Sequence, residues 1–414
     1  MTDLDIDTTR LLGELDELAG FSDADPPAVT RIVYSDVDTR ARSFLKERCR
    51  EAGLGIREDA LGNLFARWEG TSPNLPAVGT GSHIDAIPYS GRYDGTVGVL
   101  GGLEALRALR IAGFQPRRSL ELLLFTSEEP TRFGLGCLGS RGLSGAMDPT
   151  ALAELNDNES RSLDQVRHSA GFTGDLATVR MTADYYAAFV ELHIEQGPLL
   201  ERAGIPIGIV TAIAAPAALR IEFEGTGGHA GAVLMPERHD ALCAAAALIL
   251  AVEEAALTSG SPDTVATTGT CRIHPGAINS IPSRVIVQID IRDIALAPRD
   301  RAVRTIEEAG AAIAAKRGLR FQVEKLNADP PATMAPVIVE ASLAACNRLG
   351  LASQRMVSRA YHDSLYMARL CPTGMIFIPC RGGVSHRPDE FASPEAITKG
   401  VHVLALTLTK LANG

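Results

Sequence analysis

Five short segments of this chain concentrate histidine and acidic residues beside apolar stretches, a combination that could hold metal ions. They are Gly81-Ser82-His83-Ile84-Asp85, Gly91-Arg92-Tyr93-Asp94-Gly95, Ser127-Glu128-Glu129, Glu191-Leu192-His193-Ile194-Glu195-Gln196-Gly197 and Ser385-His386. Imidazole nitrogens mixed with carboxylate oxygens suit zinc, manganese, cobalt or iron and do not separate them. Taken singly, each segment has an ordinary reading. A lone histidine beside an apolar strand is usually a hydrogen-bonded core residue, and Glu128-Glu129 alone would be a helix N-terminus or a solvated edge. All five fall at or near the end of a predicted strand, where ligand sites gather in open α/β sheets. Their joint occurrence favours a site, yet spacing alone does not decide between site and core.

The elements that must position these residues are legible as alternating patterns. Helical spacing runs over Thr8–Phe21, and Ser35 has the form of an N-cap for a helix reaching Ala52. Strand-like stretches follow at Gly55–Asp59, Asn63–Glu69 and the apolar run Ala77–Ile84, then a Gly- and Ala-rich buried helix over Thr96–Ala112. Leu120–Phe125, apolar except for Glu121, reads as a central strand covered on both faces, and Val190–Ile194 as another. This alternation predicts an α/β domain. The middle of the chain reads differently: strand Ala218–Gly225, an Ala-rich helix Met235–Leu257, strands Thr264–His274 and Arg284–Asp293, a helix Arg299–Arg317 and a strand Leu319–Leu326. The order β-α-β-β-α-β is that of a ferredoxin-like α+β unit. After Pro330-Pro331 the α/β pattern resumes with helix Ala335–Leu349 and strand Gly374–Pro379. The expectation is a discontinuous α/β catalytic domain, residues 1–212 and 330–414, interrupted by an inserted domain over 213–329.

Composition limits the partners. The 414 residues exceed one ordinary core, and a formal net charge of −10 argues against nucleic acid, which requires a positive footprint. The N-terminal segment has neither a basic nor an apolar signal region. The longest uncharged run, between Arg202 and Arg220, is shorter than the roughly 18 residues of a spanning helix and contains Pro206 and Pro216. No membrane association is expected, and the run reads as strand and turn. Seven scattered cysteines without a CxxC fit free thiols in a reducing compartment, so a cytoplasmic location is expected.

The segments GSHIDAIPYSGRYDG, FTSEEPTRFG, ELHIEQGP, GGHAGAVLMP, HPGAINSIPS and VSHRP resemble the dinuclear metal amidohydrolases of the aminoacylase and carboxypeptidase clan. Within it they are similar to the branch of N-carbamoyl-L-amino-acid hydrolase and allantoate amidohydrolase, in order from about residue 8 to the C-terminus. Pro130-Thr131, HAGAVLMP and SRAYHDSLYMA are similar to the sub-branch that acts on ureidoglycolate; carbamoylases typically carry Gly in place of Tyr361.

The resemblance implies a set of roles. His83 and His386 would each bind one metal, Asp94 would bridge both, and Glu129 and His193 would complete the two shells. Glu128 would be the general base, and the Asp85 carboxylate would orient the His83 imidazole. In the inserted domain, His229 resembles a lid histidine that reaches a neighbouring active site and stabilises the oxyanion. Asn279 and Arg292 would grip the substrate carboxylate, with a strand salt bridge to Asp290 or Asp293 as the ordinary alternative for Arg292. Gln196 and His362 would contact the ureido group or the pocket wall, and Tyr361 would shape the pocket. The implied cofactors are two divalent ions, manganese by resemblance, with zinc compatible. The implied substrate is a small carboxylated ureide. A lid histidine working in trans requires a homodimer, formed through the inserted domain by the strand Ala218–Gly225 or the Ala-rich helix. That helix has a second reading, in which its Ala stripe packs on its own sheet.

Overall fold

A computed structural model describes residues 4–414. The four central strands are buried on both faces, three of them rich in Leu, Val, Ile or Phe and the fourth, Ala77–His83, built mostly of small residues. Leu120–Phe125, Ala77–His83, Tyr186–Ile194 and Thr373–Ile378 lie side by side in that order, all parallel and buried almost end to end. Antiparallel strands flank them: Leu64–Trp68 and Gly55–Glu58 beyond one side, Ile207–Ile213 beyond the other, within a mixed sheet of nine strands. Glu121, the one charge in the central strand Leu120–Phe125, is fully buried. Its carboxylate accepts from the hydroxyls of Tyr185 and Tyr186, and Arg67 lies 3.8 Å away.

The parallel register brings strand ends together. His83 is opposite Phe125, and Phe377 is opposite His193. The helix Thr96–Ile111 covers this face and is buried over most of its length. Its approach depends on small residues: a Cβ on Gly98 would stand 2.4 Å from the Leu192 carbonyl oxygen and 2.7 Å from Ser82 Cβ. The helix therefore packs directly on the two strands that carry His83 and His193. The C-terminal helix Pro394–Ala412, absent from the sequence reading, packs against it and against Pro336–Arg348. The helix Asp36–Glu51 is capped as expected, with Ser35 Oγ accepting from the Asp38 amide.

The chain divides into two compact units. The first comprises residues up to Thr211 together with Thr333–Ser358 and His362–Gly414. The second comprises Ala212–Ala332 and Arg359–Tyr361. In the second unit four antiparallel strands lie in the order Val265–His274, Arg284–Asp293, Ala215–Glu224, Arg320–Ala328. Their alternating buried residues pack against the helices Ala241–Leu257 and Leu296–Arg317. This is the connectivity and strand order of a ferredoxin-like unit. Arg359 joins it through an ion pair with Asp263 at 2.8 Å.

Three local expectations change. The Ala-rich helix starts at Ala241, not Met235, because the Asp240 carboxylate caps it by accepting from the amides of Leu242 and Cys243. Met235–Glu237 is only a single 3-10 turn. The next helix starts at Leu296, three residues earlier than expected, with Pro298 in its first turn. The strand Ala215–Glu224 is an interior strand paired on both sides, so it offers no free edge to a second subunit; the edges are Val265–His274 and Arg320–Ala328. The Ala stripe of the Ala241–Leu257 helix does pack on its own sheet, burying Ala241, Ala244, Ala245, Leu248, Val252 and Ala255.

Candidate metal centre

Within the first unit, the five acid- and histidine-bearing segments converge. His83 ends its strand, His193 lies one residue before the end of the neighbouring strand, and Asp94 sits in the turn that opens the Thr96–Ile111 helix. Asp94 Oδ1 lies 3.5 Å from His83 Nε2 and 3.2 Å from His193 Nε2. Its other oxygen, Oδ2, lies 3.1 Å from His386 Nε2, which is itself 3.2 Å from Glu129 Oε1. Two three-residue groups therefore share one carboxylate: His83, Asp94 and His193 on one side, Asp94, Glu129 and His386 on the other.

The tautomers fit this use. Nδ1 of His83 contacts the Asp85 carbonyl at 3.0 Å, and Nδ1 of His193 contacts the Ile194 carbonyl at 2.9 Å. A carbonyl only accepts, so each Nδ1 carries a proton and the neutral form of each ring presents its Nε2 lone pair towards Asp94. The Gly95 amide, 3.2 Å from His193 Nε2, is consistent with that. Gly95 itself is required: its φ is +66°, and a Cβ there would fall 2.5 Å from the His83 ring.

The Asp85 carboxylate plays a different part from the one expected. It lies 3.7 Å from His83 Nδ1, and the hydrogen bond that fixes the ring goes to the Asp85 main-chain carbonyl instead. The carboxylate accepts from the amides of Glu128 (3.2 Å) and Glu129 (3.0 Å) and so anchors the turn that carries both glutamates.

Charge in this cluster is concentrated and dry. Burial alone would push the His83 imidazolium down, but the charges of Glu128, Asp85 and Asp94 outweigh it and hold it well above the ordinary histidine value. His193 is raised against its burial mainly by Asp94. Hydrogen bonds to Asp94 and Glu129 raise His386 to about 11. Burial pushes Asp94 up, yet the neighbouring imidazoles of His193, His386 and His83 hold it well below the carboxylate range. Glu128 is driven well above its usual value, first by burial and then by Glu129 and other acids nearby. Buried carboxylates this close together call for positive charge among them. The donor set, with Nε2 lone pairs and carboxylate oxygens aimed at common points, fits divalent cations.

The surrounding backbone is strained. Ser127, Cys137, Gln196 and His386 all have φ between 55° and 58°, although none is glycine. Each costs on the order of 1–3 kcal/mol, and such residues persist where the surroundings over-determine them. Gln196 donates from Nε2 to Asp94 Oδ2 (2.7 Å) and to Ser385 Oγ (3.2 Å), while its buried Oε1 has no partner among the described residues. His362 is buried, with its ring 4.5 Å from that of His193 and its Nε2 3.0 Å from Ser358 Oγ.

Four of the sequence-derived candidates lie in the second unit. His229 is exposed in the short strand pair Gly228–His229 with Ser280–Ile281, and its Nδ1 accepts from the Gly231 amide at 3.1 Å. Asn279 adjoins it, its carbonyl accepting from the Ala230 amide. Arg292 is engaged by Asp290 at 2.7 Å and by the Arg359 carbonyl, with its guanidinium 5.7 Å from the Tyr361 ring centroid. The alternative raised for Arg292, a strand ion pair, is thus present.

Sequence reasoning missed several groups. Glu191, buried in the strand before His193, accepts from Ser82 Oγ and Ser364 Oγ. Asp363 is fully buried; Ser140 Oγ donates to its Oδ1, and burial and the Glu191 charge push it up to about 8. Glu390 touches the turn at Asp94. Glu191 and Asp363 stand inside the quoted motifs, one beside the apolar stretch that ends in His193 and one beside His362, and an acid in such a buried setting was the available signal. Glu390 had none.

The fold and this cluster define a metal-binding hydrolase built on a mixed α/β sheet. The sequence profile of Peptidase family M20/M25/M40 matches residues 79–410, and the chain belongs to that family, whose members depend on a dinuclear metal centre. It is 53% identical to ureidoglycolate hydrolase of Arabidopsis thaliana, covering 99% of this chain and 87% of that one. The solved structure of AtUAH in complex with glyoxylate superposes with a TM-score of 0.91 at 53% identity, covering 99% of this chain and 98% of that chain. N-carbamoyl-L-amino acid amidohydrolase of Geobacillus stearothermophilus is 38% identical over 98% of both chains. This chain is therefore a hydrolase of C–N bonds. Among the described residues no helix is long and apolar enough to cross a membrane.

Proposed function

We propose that this chain hydrolyses the ureido group of ureidoglycolate, releasing ammonia and carbon dioxide and leaving hydroxyglycine, which breaks down to glyoxylate. The observation that carries the reading is the pair of three-residue ligand groups sharing Asp94, with Glu128 beside them, in a chain so similar to a ureidoglycolate hydrolase. His83, Asp94 and His193 would hold one divalent cation, and Asp94, Glu129 and His386 the other; manganese is the first choice and zinc is compatible. Such a pair supplies Lewis acidity and makes water acidic enough to react near neutral pH.

The chain's own residues then do the proton work. Glu128 Oε2 is 3.8 Å from His83 Nε2, and Cys137 Sγ lies 3.6 Å from Oε1, so the carboxylate is close to the ligands without being one of either group. It takes the proton of the attacking water and gives it to the leaving nitrogen. The bare Oε1 of Gln196 suits a ureido N–H, which would relieve an otherwise costly buried acceptor. His362, closed from solvent, would form part of the pocket wall. His229 accepts at Nδ1, which places the proton of its neutral ring on Nε2, the form needed to donate to an oxyanion. Asn279 and Arg292 would hold the substrate carboxylate, with Tyr361 limiting the size of the group beside it.

The second unit is read as a lid and dimerisation domain over residues 213–329, inserted between catalytic segments 1–212 and 330–414. A homodimer would use the edge strand Val265–His274, whose Val265 and Ile273 are exposed, with Leu250 and Leu257 of the adjoining helix. A cytoplasmic location agrees with seven free cysteines.

The test is ammonia release by manganese-loaded protein given freshly made ureidoglycolate, allantoate or an N-carbamoyl amino acid in parallel. Rapid turnover of ureidoglycolate alone is expected. Preference for either other ureide would overturn the substrate and leave the metal centre standing.

A further inference from the structure

His386 reaches the centre from a loop that has little regular structure of its own. The loop is closed at its neck by the Arg381 amide donating to the Phe391 carbonyl, and His386 within it is held at φ 58°. One buried carboxylate connects this loop to the turn carrying the shared ligand. Glu390 Oε1 accepts from the amides of Tyr93 (2.7 Å) and Asp94 (3.1 Å). Glu390 Oε2 accepts from Ser385 Oγ at 2.8 Å, and that hydroxyl also lies 2.9 Å from Asp94 Oδ2. The residue before His386 and the residue that bridges both ligand groups are thus tied to one side chain.

The seat for that side chain is built for it. A Cβ on Gly91 would fall 2.3 Å from Glu390 Cβ and 2.4 Å from its carboxyl carbon, so only glycine leaves room. Phe391, the next residue, packs edge-on against the Tyr93 ring with centroids 6.1 Å apart and lies under the Arg381 guanidinium. Loop and turn are therefore clamped through adjacent side chains, one polar and one aromatic.

We propose that Glu390 is a positioning residue that sets the placement of His386 against Asp94, and so determines whether the Asp94–Glu129–His386 group binds its cation tightly. The inference rests on the dinuclear reading of the site. It does not depend on which ureide is cleaved. Partners that orient metal ligands typically change metal affinity or activity by about 10- to 100-fold when removed. Loss of Glu390 should fall mainly on the cation of the Asp94–Glu129–His386 group, which loses the tie at Ser385 beside His386 as well as that at the Asp94 turn, whereas the His83–His193 group keeps both of its Nδ1 anchors at Asp85 and Ile194.

Three variants test this, read by metal content and chelator titration of the purified chain and not by turnover alone. Glu390→Ala should retain one manganese per subunit and bind the second at least about tenfold more weakly. Glu390→Gln keeps an oxygen acceptor for the Tyr93 and Asp94 amides and a polar contact to Ser385, and should restore most of the second affinity. Gly91→Ala, which forces the Glu390 side chain out of its seat without removing the carboxylate, should reproduce the alanine phenotype. Two tightly held ions in both Glu390→Ala and Gly91→Ala would overturn the proposal. So would equal weakening of both ions. If Glu390→Ala does not fold, Gly91→Ala and Ser385→Ala decide by the same criterion. A wild-type protein that never binds two ions would instead refute the dinuclear reading itself.

Discussion

His83 and His229 are both histidines at the end of a β-strand, yet their surroundings have almost nothing in common. His83 is 1% exposed, fixed at Nδ1 by a carbonyl, and surrounded by Asp94, Asp85 and Glu128. His229 is exposed and anchored through the amide two residues on. The same contrast separates Asp94, which is buried and contacted by three histidines, from the exposed Asn279. A ligand to a permanently bound ion benefits from being immobilised in advance, because the ordering cost is met when the chain folds. A group that meets a transient charge must admit and release a substrate, and a buried, over-determined side chain would block that. Under the proposed function, the difference fits resident cations held by the buried cluster of the first unit and a substrate carboxylate and oxyanion met by the exposed groups of the second.

The largest effect should come from Asp94→Ala. Removing the shared carboxylate should lower the bound metal below two ions per subunit by elemental analysis and reduce ammonia release to background; a variant that keeps both ions would end the shared-ligand reading. Glu128→Gln sharpens the distinction within the first unit. It should keep both ions and lower kcat by about 10²–10⁴-fold, the usual range for a general base, whereas full turnover would remove Glu128 from the mechanism. His229→Ala tests the other side. With metal content and thermal stability unchanged, kcat should fall by about 10²–10³-fold, as for loss of one oxyanion donor. A variant that lost metal instead would break the comparison. Tyr361→Gly opens the space beside Arg292 and should raise KM for ureidoglycolate by about tenfold while admitting bulkier ureides, roughly the value of one well-packed contact in a pocket; an unchanged substrate profile counts against it. The smallest effect belongs to Asp240→Ala, which removes the cap of the Ala241–Leu257 helix. Urea unfolding should show a loss of about 1 kcal/mol, with metal content untouched.

The α/β class and the ferredoxin-like order were legible because they rest on local periodicity. Leu120–Phe125 and Thr96–Ile111 show their burial in composition, and Ser35 shows its cap. Helix starts were less legible: Met235 continues an apolar pattern, and only the Asp240 cap shows where the helix begins. The C-terminal helix and the interior position of Ala215–Glu224 also escaped the reading. Strand order is a matter of which segments pair, and hydrophobic alternation looks the same on an edge and in the middle of a sheet.

By itself, the sequence determined which residue types stand at the strand ends, since ligand chemistry and strand period are both written locally. It also determined the family, through motifs spread over nearly the whole chain. Only the tertiary structure decided how those groups are used. It turned Asp94 so that one oxygen faces His83 and His193 and the other faces His386. It gave the His83 ring to the Asp85 carbonyl and the Asp85 carboxylate to the glutamate turn. It brought Glu390 across almost 300 residues of chain to the amides of Tyr93 and Asp94. Hydrogen bonds act over about 3 Å, and which atoms come that close is settled by packing between segments far apart in sequence, which no local pattern encodes.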